Sequence, residues 1–305
     1  MWIRLSRVRS PSLTPFTLTT DRLPIDGLAR SWLAALEERQ LANLRFSEVT
    51  RALRALSSTY VERRESALAD HKALDGAGKR AAFALYYGPI HFLLIQHIVR
   101  ELGVTFAPGL VVDLGCGTGV AGAAAATSAA PPLRVFGVDT HPWTLDEARF
   151  TYKAFGLHSD VRRSHAASTR FPNDTSVVVA AFVVNELKDG DRAALLENIK
   201  QLVRLKPDTK AAELVRLKPD TTASQSFRLK PGTTAEDGTK AHVLIVEPIS
   251  QRISPWWNAW AEEFVRMGGR ADIWKARIEP PPTVKRLAKA AGLRPDMLTA
   301  RSLFV

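Results

Sequence analysis

The stretch Leu110-Val-Val-Asp-Leu-Gly-Cys-Gly-Thr-Gly-Val120 decides how the rest of the chain is read. Its short apolar run, Leu110 to Leu114, reads as a buried strand. Gly115, Gly117 and Gly119 then form a tight turn into an alanine-rich stretch, Ala121 to Ala126, that reads as a helix. Glycine lacks a Cβ, so the backbone can adopt positive φ and approach a ligand closely. The N–H groups of a following helix point at the same place. Twenty residues after Gly119, Val135-Phe-Gly-Val-Asp139 reads as the next strand, with an acid at its C-terminal end. A carboxylate there can accept both hydrogen bonds from a ribose diol.

Gly117-x-Gly119-x-x-Gly122 also fits the dinucleotide fingerprint. Asp113 argues against that ligand, because a carboxylate ahead of the turn would repel a pyrophosphate. A cationic ligand suits it better, and S-adenosylmethionine carries both a sulfonium and an ammonium. Asp113-Leu-Gly-Cys-Gly-Thr-Gly119, with Asp139 at its spacing, resembles motif I of the class I S-adenosylmethionine-dependent methyltransferases. The resemblance covers most of residues 80–305. It implies an α/β, Rossmann-like fold with a mostly parallel seven-stranded sheet between helices. It also implies that Gly115, Cys116, Gly117, Gly119 and Asp139 hold the cofactor. Asp113 would order the turn, or reach the methionyl ammonium through water. His165, in Ser164-His-Ala166 after the third strand of that fold, is either an adenine contact or a surface histidine. After the fourth strand, Phe182 is expected to pack on the cofactor. Asn185 and Glu186 either face the substrate as catalytic residues or cap the next helix.

Three segments carry a narrower resemblance: Tyr86-Tyr87-Gly-Pro89, Ala181-Phe-Val-Val-Asn-Glu-Leu187 and Val243-Leu-Ile-Val-Glu-Pro248. Together they are similar to the methyltransferase-like family of the mitochondrial small ribosomal subunit and its bacterial relatives. That resemblance implies rRNA, or the small ribosomal subunit, as partner. Some members carry a cysteine cluster for iron–sulfur or zinc, but this chain has Cys116 alone, so no such cluster can form within it. Tyr86 and Tyr87 would close over the site. In Pro255-Trp-Trp-Asn-Ala-Trp260, Trp256 and Trp260 share a helical face, either as core or as a stacking surface for a base.

The 305 residues are 46% apolar and 24% charged, which excludes a mainly disordered chain. The formal net charge of +11 favours an anionic partner such as nucleic acid. No apolar run reaches a membrane-spanning length, the longest being broken by His91, Gln96 and His97. A cytoplasmic setting is expected. Residues 1–24 read as a basic tail, although an organelle-targeting peptide has the same composition. Residues 25–106 read as helical, with apolar faces at Leu28, Trp32, Leu33, Leu36 and Leu41, then Val49, Leu53, Leu56 and Tyr60, and a kink at Gly88-Pro89. This region would serve as a lid or substrate platform.

Residues 107–305 read as the methyltransferase domain. Its β-rich runs are Leu110–Leu114, Arg134–Asp139, Ser176–Val184 and His242–Glu247, and Thr144 with Glu147 forms a capping box. Repeats at Arg204, Arg216 and Arg228, twelve apart, mark a flexible insertion at 203–240. A lone thiol in the cofactor turn excludes methylation through a covalent thiolate adduct on a pyrimidine. Two other functions stay open: a ribosome-assembly factor that binds the cofactor without turnover, and a methyltransferase acting on small molecules.

Overall fold

The computed structural model describes residues 17–23, 26–62, 74–205, 241–249 and 254–305. Most of the 203–240 repeat insertion therefore lies outside the described residues, as does the start of the basic tail.

The strands are β1 (Thr17–Leu23), β2 (Leu110–Leu114), β3 (Arg134–Asp139), β4 (Ser159–Arg163), β5 (Thr175–Ala181), β6 (His242–Glu247), β7 (Arg270–Ile278) and β8 (Met297–Phe304). They form one sheet in the order β1-β7-β8-β6-β5-β2-β3-β4. Only β8 runs antiparallel to its neighbours, β6 and β7. The mostly parallel sheet is as expected, but it has eight strands rather than seven. The added one, β1, comes from the stretch read as a basic tail and pairs parallel with β7. The run expected to extend to Val184 stops at Ala181, where the chain turns out of the sheet. From β2 the chain winds outward through β3 and β4, then returns to the other side of β2 with β5. The reversal opens a crevice beyond the C-terminal ends of β2 and β5, where folds of this kind bind ligands.

Two apolar layers flank the sheet. Val112, Leu114, Val178, Ile245 and Leu303 face α7 (Asp189–Leu205) and α8 (Trp257–Arg266). Val111, Val135, Val179 and Leu244 face the other way, onto a core shared with α5 (Val120–Thr127), α6 (Pro142–Ala154), α9 (Pro282–Ala291) and the N-terminal helices. Those are α1 (Gly27–Leu41), α2 (Phe46–Glu62), α3 (Ala77–Ala82) and α4 (Gly88–Leu102). Ala29, Trp32 and Leu36 form the buried stripe of α1, and Val49, Leu53 and Leu56 that of α2. Leu28 is 49% exposed, one position off that stripe.

The expected kink at Gly88-Pro89 is a π-helical turn instead. Phe83–Tyr87 joins α3 to α4, and the Gly88 N–H bonds to the Phe83 carbonyl five residues back. Pro89 lacks an N–H and its ring crowds the preceding turn; the wider π turn accommodates it without breaking the rod. The rod Ala77–Leu102 is long and apolar enough to cross a membrane by length and composition, but most of it is buried in this core.

The capping box expected at Thr144 and Glu147 is not formed. Helix α6 begins three residues earlier, with Pro142 at its first turn and the His141 ring nitrogen accepting the Trp143 N–H. Thr144 donates to the His141 carbonyl. Glu147 is buried and accepts from Arg39 and Gln40, at 3.0 and 2.7 Å, tying α1 to α6. Burial raises its pKa, opposed by Arg39.

Candidate cofactor and acceptor site

Asp113, at the end of β2, is 1% exposed. Its Oδ2 accepts the Gly122 N–H at 2.8 Å and the Tyr152 hydroxyl at 2.8 Å. Burial pushes its pKa up to about 7; those two donors lower it, and the nearby Asp139 charge raises it. Gly122 lies in the first turn of α5, so the carboxylate occupies a helix N-terminus from within. A phosphate would need those same orphan N–H groups. A Cβ on Gly122 would lie 2.5 Å from Asp113 Oδ2, which is why the third glycine of the fingerprint is required here. Of the two roles expected for Asp113, the structure shows the ordering of the turn.

Gly115, Gly117 and Gly119 have φ of 60°, 53° and 78°. A Cβ on Gly115 would strike Val183 at 2.3 Å, and one on Gly119 would meet Ala148 Cα at 2.9 Å. Gly117 differs: a Cβ there would meet nothing closer than the Gly115 carbonyl at 3.9 Å. Its backbone therefore borders open space. Asp139 ends β3 beside it, with Oδ2 accepting the Gly117 N–H and Oδ1 the His141 N–H, both at 2.9 Å. Each oxygen keeps acceptor capacity for a ligand hydroxyl. Cys116 is buried, and desolvation with the Asp113 and Asp139 charges holds its thiol well above the usual range. It is a packing residue of the turn, not a nucleophile.

The opposite wall follows β5. Phe182 has φ 62° without being glycine, a strained conformation of the kind that gathers at functional sites. Its N–H donates to the Val246 carbonyl at 2.8 Å. Its ring stacks on His91 at 4.2 Å and 26°. His91 lies in the first turn of α4, and burial lowers its pKa to about 4, so it is neutral at pH 7. Tyr87 is 6.0 Å from His91, and Tyr86 meets Tyr87 edge-on at 5.1 Å. Gly88 packs directly on the glycine turn; a Cβ there would be 3.5 Å from Thr118 Oγ1. The π turn thus sets Gly88 against the glycine turn and His91 against Phe182, with Tyr87 beside His91 and Tyr86 buried behind Tyr87. His91 was legible only as a polar interruption in an apolar helix.

Asn185 neither faces the crevice freely nor caps α7. Its N–H and Nδ2 donate to Glu247 at 3.2 and 2.5 Å. Its Oδ1 accepts from Ser254 Oγ at 2.6 Å and from Trp256 Nε1 at 3.0 Å. Glu247 is fully buried and also accepts the Val184 N–H at 2.8 Å. Burial raises its pKa to about 8 against those donors and the Arg301 charge. This anchor of the wall went unassigned in the sequence, because its partners are about sixty residues away. Trp256 is held by Asn185 and by an edge-on contact with Trp260 at 5.0 Å, and Trp260 is core. Glu186 stays exposed; partial desolvation first, and the Asp139 charge second, raise its pKa. His165 is exposed too, and its Nε2 lies 4.0 Å from Asp191. The residue before it, Ser164, donates its N–H to the Asp139 carbonyl at 3.1 Å.

These residues fit S-adenosylmethionine. Gly117 leaves a cradle that a Cβ would narrow, Asp139 keeps acceptor capacity beside it, and Asp113 Oδ1 is buried without a hydrogen-bond partner. The Gly115–Gly119 turn and Asp139 would hold the cofactor, with Phe182 against it. When bound, it supplies a methyl group already activated on a sulfonium. The protein then has to orient an acceptor and exclude water, effects that can be worth about 7–11 kcal/mol. His91, neutral and half-buried, can accept a hydrogen bond on a ring nitrogen, but its lowered pKa makes it a weak base at pH 7.

Residues 111–206 match the family model described as a methyltransferase domain. No curated protein matches the chain in sequence. Among solved structures it is similar to an S-adenosylmethionine-dependent methyltransferase from Aquifex aeolicus, at 14% identity and a TM-score of 0.39, covering 69% of this chain and 87% of that one. It is also similar to the Pyrococcus abyssi tRNA (uracil-54, C5)-methyltransferase, at 13% and 0.37, covering 70% of this chain and 38% of that one. A third is the precorrin-6y C5,15-methyltransferase from Geobacter metallireducens, at 10% and 0.40, covering 70% and 86%. Likenesses this distant say nothing of the acceptor. The residues that match the methyltransferase-domain model are those that build the glycine turn, Asp139 and the wall after β5, and their geometry fits S-adenosylmethionine.

Proposed function

We propose that the protein methylates a nucleobase of small-subunit ribosomal RNA. The observation that carries this reading is the ring cluster beside the glycine turn. His91 stacked on Phe182, with Tyr87 adjoining, offers a platform of the kind on which unstacked bases are held. The net charge of +11 favours a polyanionic carrier for that base. A neutral ring nitrogen or amino group also suits a crevice bordered by the Asp139 carboxylate, which would repel an anionic acceptor.

The test is transfer of labelled methyl from S-adenosylmethionine to small-subunit particles, free rRNA and a small-molecule pool, with Asp139→Ala as control. Label in rRNA that disappears in the variant supports the reading. Label confined to small molecules overturns it in favour of a metabolite methyltransferase.

A further inference from the structure

A second concave site lies away from the crevice, between the end of β7, α9 and the turn into β8. It encloses about 440 Å³ and is lined by Arg277, Lys285, Lys289 and Arg294, against two carboxylates, Glu279 and Asp296. Lys285 pairs with Glu279. Arg277, Lys289 and Arg294 are exposed and make no ion pair among the described residues. Lys285 and Lys289 stand four apart on one face of α9, and the Glu279 carboxylate offsets the charge of Lys285 only. The scaffold beneath is fixed: Arg286, elsewhere on α9, pairs with Glu37 of α1 and lies 4.6 Å over the Phe46 ring of α2.

The sheet relates this cleft to the methyl-transfer site. Because β8 is antiparallel to both β6 and β7, the C-terminal end of β7 points the same way as that of β6. Arg277 therefore stands at the edge that carries the glycine turn. Four strand spacings separate β7 from β2, about 19 Å. That distance is within reach of a few nucleotides of one strand whose base is held at His91 and Phe182.

We propose that the Arg277–Lys289–Arg294 cleft binds the sugar–phosphate backbone of the RNA whose base enters the crevice. The cleft is then a docking site that fixes register, while the crevice performs the chemistry. The inference rests on the RNA reading above for the identity of the anion, and on the cleft's own charges for its place.

The experiment uses the full chain and a fluorescent fragment of small-subunit rRNA, with anisotropy read over a salt series. Wild type is compared with Arg277→Glu/Lys289→Glu/Arg294→Glu and with the milder glutamine triple variant. Calorimetric titration with S-adenosylmethionine reports on folding. The expected result is more than tenfold weaker RNA binding in the glutamate variant and a smaller loss in the glutamine one. The salt slope should flatten by about 2, three phosphate contacts at roughly 0.7 each, with cofactor affinity unchanged. Unchanged RNA affinity and slope would overturn the cleft's role and leave the RNA reading standing. Wild type that binds no RNA would overturn both. Adenosine monophosphate competing beyond its ionic strength would overturn the polynucleotide assignment in favour of a small anion.

Discussion

The two walls of the crevice are built by opposite means. The wall after β2 is local: three glycines at positive φ, and a helix whose N-terminus is filled by Asp113, nine residues before Gly122. The wall after β5 is non-local: Phe182 adopts φ 62° without glycine, and Glu247 from β6 grips the backbone of Val184 and Asn185. The first wall depends on space being left empty, the second on partners being present. One is therefore broken by adding an atom, the other by removing a few.

A damaging single addition that reaches Asp113 is Gly122→Ala. Its Cβ would lie 2.5 Å from Asp113 Oδ2, so either the carboxylate or the helix must move. Overpacking of this kind costs about 1–3 kcal/mol. It should also displace the Gly115–Gly119 turn, so cofactor affinity is expected to fall at least tenfold. Denaturant melts and calorimetric titration with S-adenosylmethionine check both. A variant as stable and as avid as wild type would show that the first wall is not set by that close contact.

On the second wall the matching experiment is subtraction. Glu247→Ala leaves the N–H groups of Val184 and Asn185 without their acceptor in a buried place. An unsatisfied buried donor costs about 1–3 kcal/mol. The midpoint of unfolding should drop by that order. Methyl transfer should fall further than cofactor binding, since Phe182 and Trp256 lose their support. Glu247→Gln, which keeps one carbonyl acceptor, should recover part of the stability. Equal losses in the two variants would mean that packing volume, not hydrogen bonding, fixes this wall.

The same contrast explains what the sequence disclosed. Asp113, the three glycines and Asp139 are legible because their constraints act within about thirty residues and leave no choice of residue type. Strands β2, β3 and β6 were legible as apolar runs. Strand β4, Ser-Asp-Val-Arg-Arg, is a polar edge in which only Val161 is buried, so no run marks it. Strand β7 passes unremarked because every second position faces away from the core, and β8 because the buried Arg301 and Ser302 interrupt its apolar run. Tyr152 and Glu247 were silent, since the fold alone brings Tyr152 across 39 residues to Asp113. Asp113 itself was read as an acid that repels a diphosphate. The structure gives a sharper reason for the same selectivity, because its carboxylate already occupies the helix N-terminus that a diphosphate would need.

That carboxylate has a pH signature. The folded pKa of Asp113, about 7, and of Glu247, about 8, lie above their values in an unfolded chain, so the native state holds those protons longer. Their contribution to stability is complete below about pH 4 and is lost as pH rises through 7 and 8. His91, lowered to about 4, acts the other way, but only below about 6.5. Between pH 6.5 and 8, therefore, thermal stability should fall as pH rises. Asp113→Asn should flatten the lower part of that decline and leave the part near 8 to Glu247 and Glu186. A melting temperature that rises across this window would sink the assignment.

The smallest expected effect tests where the crevice ends. His165 follows β4, is exposed, and has Asp191 4.0 Å away, too far for a strong ion pair. Exposed substitutions away from specific contacts stay within about 0.5 kcal/mol. His165→Ala should therefore leave stability at wild-type level and change cofactor affinity by less than about twofold. An adenine contact would behave differently, because removing a stacking or hydrogen-bonding partner from a bound ring weakens binding by tenfold or more, with no change in the melt. Titration of the single variant thus separates a crevice that stops at Asp139 from one that runs on along the end of β4.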